Sequence, residues 1–152
     1  LYISTMITNQ VSIGSDHAGF QLKEDLKSRL LQISPEFIIH DKGCFSDQSV
    51  DYPDYAHEVA KSVSLGDVQL GILICGSGNG VCMCANKHPN VRAALCWTKE
   101  IASLARQHNN ANIICIPARF VSTDEAFAMV ETFLKTTFEG GRHERRTEKI
   151  EI

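Results

Sequence analysis

Five short apolar runs, each separated from the next by helical spacing, dictate most of what this chain can fold into. The runs fall at residues 11–14, 37–40, 70–75, 91–96 and 112–116. Each is too short for a helix, and most are apolar throughout, the pattern of strands buried on both faces. Between them, Leu22, Leu26 and Leu30 recur every four residues, and Ala56, Val59, Ala60 and Val63 follow the stripe of a half-buried helix. Ile101, Leu104, Ala105 and His108 repeat that spacing, which would set His108 on an apolar face. A last helix opens at Ser122 with Glu125 three residues on, a capping box, and is expected to run to Gly140–Gly141. Strands alternating with helices predict an α/β chain with a five-stranded parallel sheet.

The 152 residues suffice for one domain with a single core. Six cysteines sit in or beside apolar segments rather than in loops, which points to reduced thiols and a cytoplasmic location. A net charge of −3 gives no electrostatic reason to expect nucleic acid or a membrane partner. No apolar stretch is long enough to span a bilayer, and the N-terminus has no signal-peptide pattern. Because residue 1 is Leu and a Met stands at position 6, residues 1–9 are read as an extension outside the fold, disordered or left by cloning.

Ligands of parallel sheets bind beyond the carboxyl ends of the strands. After the first strand comes GSDHAGF, with Asp16 and His17 at a strand-to-helix turn, where a helix cap is the alternative role for Asp16. After the third comes CGSGNG: Cys75, then a loop whose glycines at 76, 78 and 80 free the backbone to aim several N–H groups at one point. As a dinucleotide fingerprint this loop is poor, since it reads G-x-G-x-G after the third strand, and Glu100, the acidic residue about twenty positions on, lies in a helical stripe. A tight turn over a buried Cys75 is the structural alternative. The fourth helix carries His108 and Asn109, the fifth strand leads to Arg119, and Arg142 and Arg146 stand four apart near the end, one side of a helix and a fit grip for a phosphate. All these groups are expected at one sheet edge.

Taken in order, GSDHAGF, DKG, DYPDYA, GILICGSGNGVCMCANK, RQHNNAN and EGGRHERR resemble the ribose-5-phosphate isomerase B family, which also includes galactose-6-phosphate isomerase subunits. The resemblance implies a three-layer α/β/α Rossmann-like sandwich and an aldose–ketose isomerase of the pentose phosphate pathway. It further implies a sugar-phosphate substrate, no cofactor or metal, and a homodimer with sites shared between subunits, with pairing into tetramers left open.

Position by position, it makes Cys75 the proton-abstracting base and His108 the group that opens the sugar ring. Asp16 and His17 become substrate contacts, and Gly76, Ser77, Gly78, Asn79 and Gly80 the loop that holds the developing oxyanion. Asn109 becomes a sugar contact, and Arg119, Arg142 and Arg146 the phosphate grip. Some relatives place a Glu base just after the loop, where this chain has Val81. The chemistry suits the residues: carbon acids beside a carbonyl ionise with difficulty, and need a base together with stabilisation of the negative oxygen. A thiol near convergent amides is a candidate base. Galactose 6-phosphate or allose 6-phosphate as substrate, and a non-catalytic phosphosugar-binding module, are the competing readings. Tyr52 is expected either to line the pocket or to pack a turn.

Overall fold

A computed structural model describes residues 5–152. Eleven elements follow one another: β1 (Gln10–Ser15), α1 (Phe20–Ile33), β2 (Ile38–Asp41), α2 (Tyr52–Ser64), β3 (Gly71–Cys75), α3 (Asn79–Ala85), β4 (Ala93–Leu95), α4 (Lys99–Asn109), β5 (Ile113–Pro117), α5 (Thr123–Lys135) and α6 (Arg142–Glu148). The strands form one parallel sheet in the order β2-β1-β3-β5-β4.

Parity along the strands divides the core in two. Ile72 and Ile74 of β3, with Ile114 and Ile116 of β5, face Leu26, Leu30, Met129 and Phe133 from α1 and α5. Leu73 and Cys75, with Ile113 and Cys115, face Val59, Ala60, Val63, Val81 and Ala85 from α2 and α3. Alternate side chains of a strand point to opposite faces, so two apolar layers need helices on both sides, the three-layer sandwich expected. The chain leaves β1 toward β2 on one side and returns to β3 on the other. Right-handed crossovers therefore put α1 and α2 on opposite faces. The switch point of the sheet lies between β1 and β3.

Two helices differ from their sequence reading. α5 begins as expected, Ser122 Oγ accepting from the Glu125 amide at 3.1 Å and Glu125 Oε1 accepting from the Ser122 amide at 3.0 Å. It ends at Lys135, however, and the double glycine opens α6 instead. Gly140 and Gly141 both take positive φ, a turn geometry rather than a helical one.

In α4 the buried face is Ala102, Ala105 and Arg106, while Leu104 is exposed and His108 half-exposed. The reason is Arg106, whose guanidinium is buried but satisfied: Nε donates to the Thr136 carbonyl at 3.0 Å, and Nη1 donates to the Ala111 carbonyl and to Asn110 Oδ1. A charged residue that closes exposed carbonyls at helix ends outcompetes a leucine for the inner face.

At the N-terminus, residues 1–4 of the expected extension lie outside the described residues. Met6 and Ile7 pack against the core, and the Ile7 amide donates to the Leu134 carbonyl at 2.7 Å. Those two residues belong to the fold.

Candidate active site

Cys75 is the last residue of β3, 5% exposed, at the floor of a cleft of about 470 Å³. Its Sγ accepts a hydrogen bond from the Gly78 amide at 3.2 Å. That amide is aimed by the loop's left-handed turn: Gly78 has φ +76°, and a Cβ there would come within 2.5 Å of Leu95 Cδ1. Only glycine meets both conditions. Ser77 Oγ accepts from the backbone and side-chain amides of Asn79, both at 3.3 Å, so the loop's polar side chains brace one another.

Each wall of the cleft comes from a different element. Asp16, just past β1, is 8% exposed; its Oδ1 accepts from the Gly19 amide at 3.1 Å, which pins the turn before α1. Its amide donates to the Ile74 carbonyl at 3.2 Å, tying that turn to the strand carrying Cys75. Tyr52, first residue of α2, lies over Gly80 so closely that a Cβ would meet its ring at 2.5 Å. Of its two expected places, Tyr52 takes the one in the cleft wall. Arg119 follows β5, its amide donating to the Gly76 carbonyl at 3.0 Å, and its guanidinium lies above Gly76. It makes no ion pair or side-chain hydrogen bond among the described residues, and so is a cation available to a ligand. Phe120 completes the rim. The sequence offered no reason to single it out.

A second tether stands behind Asp16. The Ser15 amide donates to the Gly43 carbonyl and the Cys44 amide to the Ser15 carbonyl, both at 2.8 Å. The Gly43 amide in turn donates to Asp41 Oδ1 at 2.9 Å, and the Asp41 carboxylate also binds Lys23 and Lys27 at 2.7 Å. Lys23 is fully buried. Burial pushes the Asp41 carboxyl up, but the two ammonium groups and the Gly43 amide outweigh it and hold the carboxyl below its usual range. His17 sits nearby, half-buried, its Nδ1 accepting from the Val50 amide at 3.2 Å. In the neutral ring this leaves the proton on Nε2.

The remaining expected residues are not in this cleft. A helix that follows a parallel strand runs back toward the strand's start, so the last turn of α4 lies at the opposite sheet edge. His108 and Asn109 occupy that turn, and α6, with Arg142 and Arg146, packs against α4. A strand's length, about 15 Å, separates them from Cys75 within one chain. The expectation of one shared edge is therefore corrected: Asp16, Cys75, the glycine loop and Arg119 meet, whereas His108, Asn109, Arg142 and Arg146 form a second group.

In that second group the His108 and His143 rings stack at 4.2 Å, with Glu139 beside both. Burial, with His108 and Arg142 alongside, holds the His143 imidazole below its usual range. Neither arginine makes an ion pair or side-chain hydrogen bond among the described residues. Glu139 and His143 were not picked out from sequence, although their i, i+4 spacing across the double glycine was visible.

The six cysteines are all free. Burial raises the Cys96 thiol to about 12 and the Cys115 thiol well above the ordinary value, as packing residues should be. The neighbouring Cys115 thiol draws Cys82 downward against its own burial.

A profile of the ribose/galactose isomerase family matches residues 11–150. The chain belongs to the ribose/galactose isomerase family. Within the family, it is 41% identical over 141 residues to ribose-5-phosphate isomerase B of Escherichia coli, covering 93% of each chain. The crystal structure of the Thermotoga maritima ribose 5-phosphate isomerase superposes with a TM-score of 0.90 at 48% identity, covering 93% of this chain and 97% of that one. The Mycoplasma genitalium ribose-5-phosphate isomerase B, determined with bound ribulose 5-phosphate, gives 0.87 at 47% identity and 93% coverage of both. Family membership accounts for the three-layer fold and the order of the motifs. No helix among the described residues is long and apolar enough to cross a membrane.

Proposed function

We propose that the chain is a ribose-5-phosphate isomerase, interconverting D-ribose 5-phosphate and D-ribulose 5-phosphate, a step of the pentose phosphate pathway. The observation that carries this reading is the Gly78 amide on Cys75 Sγ at the floor of a cleft that also holds Asp16 and Arg119.

Isomerisation moves one proton from C2 of the aldose to C1 of the ketose through a cis-enediolate. Cys75, as thiolate, takes the C2 proton while the C1 carbonyl electrons move onto oxygen. The amides of the 76–80 loop stabilise that oxygen, a contribution that grows as charge develops. The resulting thiol returns its proton to C1, and the hydroxyl proton on O2 passes to O1 as the new carbonyl forms at C2. Asp16, His17 and Tyr52 contact the sugar hydroxyls. Arg119 supplies positive charge to the phosphate, whose binding holds the reacting carbons against sulfur.

Ring opening needs a second proton-transfer group, and His108 fills that role from a second copy of the chain. Three features support a homodimer with shared sites: Cys75 and His108 lie at opposite sheet edges, Arg142 and Arg146 make no ion pair or side-chain hydrogen bond among the described residues, and Leu104 beside His108 is left exposed. A two-fold pairing that seats the His108 group of one chain over the Cys75 cleft of the other completes both sites at once. It brings Asn109 to the sugar, and Arg142 and Arg146 to the phosphate. The chemistry needs no metal or organic cofactor, and cytoplasmic sugar phosphates are its natural substrates.

The test is a direct assay of the purified full-length protein with ribose 5-phosphate, galactose 6-phosphate and allose 6-phosphate in parallel. Turnover of the pentose in preference to both hexoses is expected. Absence of turnover with all three, alongside retained phosphosugar binding in Cys75→Ala, would instead mark a binding module.

A further inference from the structure

Between the last turn of α4 and the first turn of α6, three side chains with metal-binding atoms converge. His108 Nε2 lies 4.0 Å and His143 Nε2 3.9 Å from Glu139 Oε2, and the three ligand atoms all fall within 4.8 Å of one another. The two imidazoles stack face to face at 4.2 Å with 12° between their planes. Backbone bonds fix this frame: the Glu139 amide donates to the Gln107 carbonyl and the His143 amide to the Gly140 carbonyl, both at 3.1 Å. His143 is buried, whereas Glu139 and His108 keep one side open to solvent.

We propose that His108, Glu139 and His143 form a binding site for a divalent transition-metal ion of the zinc, cobalt or nickel class, with its remaining coordination positions filled by water. Two imidazoles and one carboxylate are the donor set of many three-ligand zinc sites, and imidazole selects these ions over magnesium and calcium. A metal about 2.1 Å from each ligand requires ligand atoms about 3.0–3.4 Å apart, as tetrahedral or octahedral geometry dictates. The two carboxylate–imidazole separations need to close by roughly half to one ångström and the imidazole–imidazole pair by at most about 1.8 Å, within reach of χ rotation in the exposed Glu139 and the half-exposed His108. Stacked rings present their nitrogens side by side, so a modest counter-rotation turns the lone pairs toward one point. Arg142 and Arg146 lie close enough to His143 to oppose a cation, which weakens the site.

The ion would take the Nε2 lone pair of His108. Under the isomerase reading, on which this consequence alone rests, a bound ion inhibits by removing the ring-opening group. The site is thus inhibitory, distinct from a catalytic cofactor.

The experiment is a Co²⁺ titration of the chelator-stripped full-length protein, followed by visible absorbance. One ion per chain is expected, with ligand-field bands and no intense thiolate-to-metal charge transfer. Glu139→Gln should weaken binding by at least about tenfold, and a Cys82→Ser, Cys84→Ser double variant should leave it unchanged. Glu139 is exposed, so that variant should keep the wild-type melting temperature. Zn²⁺ should slow turnover of ribose 5-phosphate, reversibly on addition of chelator. No saturable Co²⁺ binding, binding unchanged in Glu139→Gln, or a thiolate spectrum would overturn the proposal and leave the stacked pair as a means of orienting His108. Metal binding in a protein with no turnover would uphold the site while defeating the isomerase reading.

Discussion

The separation of Cys75 from His108 has a quantitative consequence for mixtures of inactive proteins. Either Cys75→Ala or His108→Asn alone should lower turnover of ring-closed substrate about 10²–10⁴-fold, the usual contribution of a positioned proton-transfer group. If one chain supplies the sulfur and its partner the imidazole, a heterodimer of the two variants contains one doubly defective site and one site with both groups intact. Random reassortment of equal amounts makes half of all dimers mixed, and half of the sites in those are intact. Activity should therefore return to about one quarter of the wild-type value per chain. The assay is simple: unfold the variants together, refold by dilution, and compare with each variant refolded alone. A site built within one chain gives no recovery at any ratio, because each chain then lacks one of its own groups. Mixed samples that remain as inactive as their components, despite mass-spectrometric proof of heterodimers, would refute the reasoning.

Three further outcomes are expected. His108→Asn should impair turnover of ring-closed substrate more than that of an open-chain substrate of equal phosphate charge, and equal losses by steady-state kinetics would remove the ring-opening role. Gly78→Ala combines a positive φ with a Cβ against Leu95, so it should cost about 1–3 kcal/mol in urea unfolding and slow turnover by displacing the amide on Cys75. Asp41→Asn leaves the buried Lys23 ammonium uncompensated and should cost about 3 kcal/mol, whereas Lys23→Met, which leaves Asp41 its Lys27 partner, should cost about 1 kcal/mol or less. The folded-state Asp41 carboxyl is held low, so its contribution is fully present above the unfolded-state value of about 3.9 and is lost as pH falls through the lower folded value. Wild type and Asp41→Asn should thus converge in stability in strong acid and differ at neutral pH.

Much of the architecture was legible because alternation along a strand is a local property. Ile72 and Ile74 point one way and Leu73 and Cys75 the other, and no distant contact is needed to see it. The turn residues Asp16 and Cys75 followed from the rule that ligands sit beyond strand ends. The same rule does not reach His108: a helix carries the chain back, so a residue at its end belongs to the far edge whatever its chemistry. Hydrophobic spacing alone misplaces the buried stripe of α4, because it ranks Leu104 above Arg106 for the interior. Arg106 wins through backbone carbonyls of Ala111 and Thr136, contacts invisible to periodicity. Gly140 and Gly141 looked like a helix end and proved to be a helix start, since α5 ends at Lys135, five residues before the first glycine.

The tether behind Asp16 passes through a charge pair rather than through packed hydrocarbon. A wall fastened by ions answers to proton concentration, while the isoleucine layers beneath it do not. On acidification the first turn of the cleft should slacken while the sheet stays closed, so this protein would release its sugar before it loses its shape.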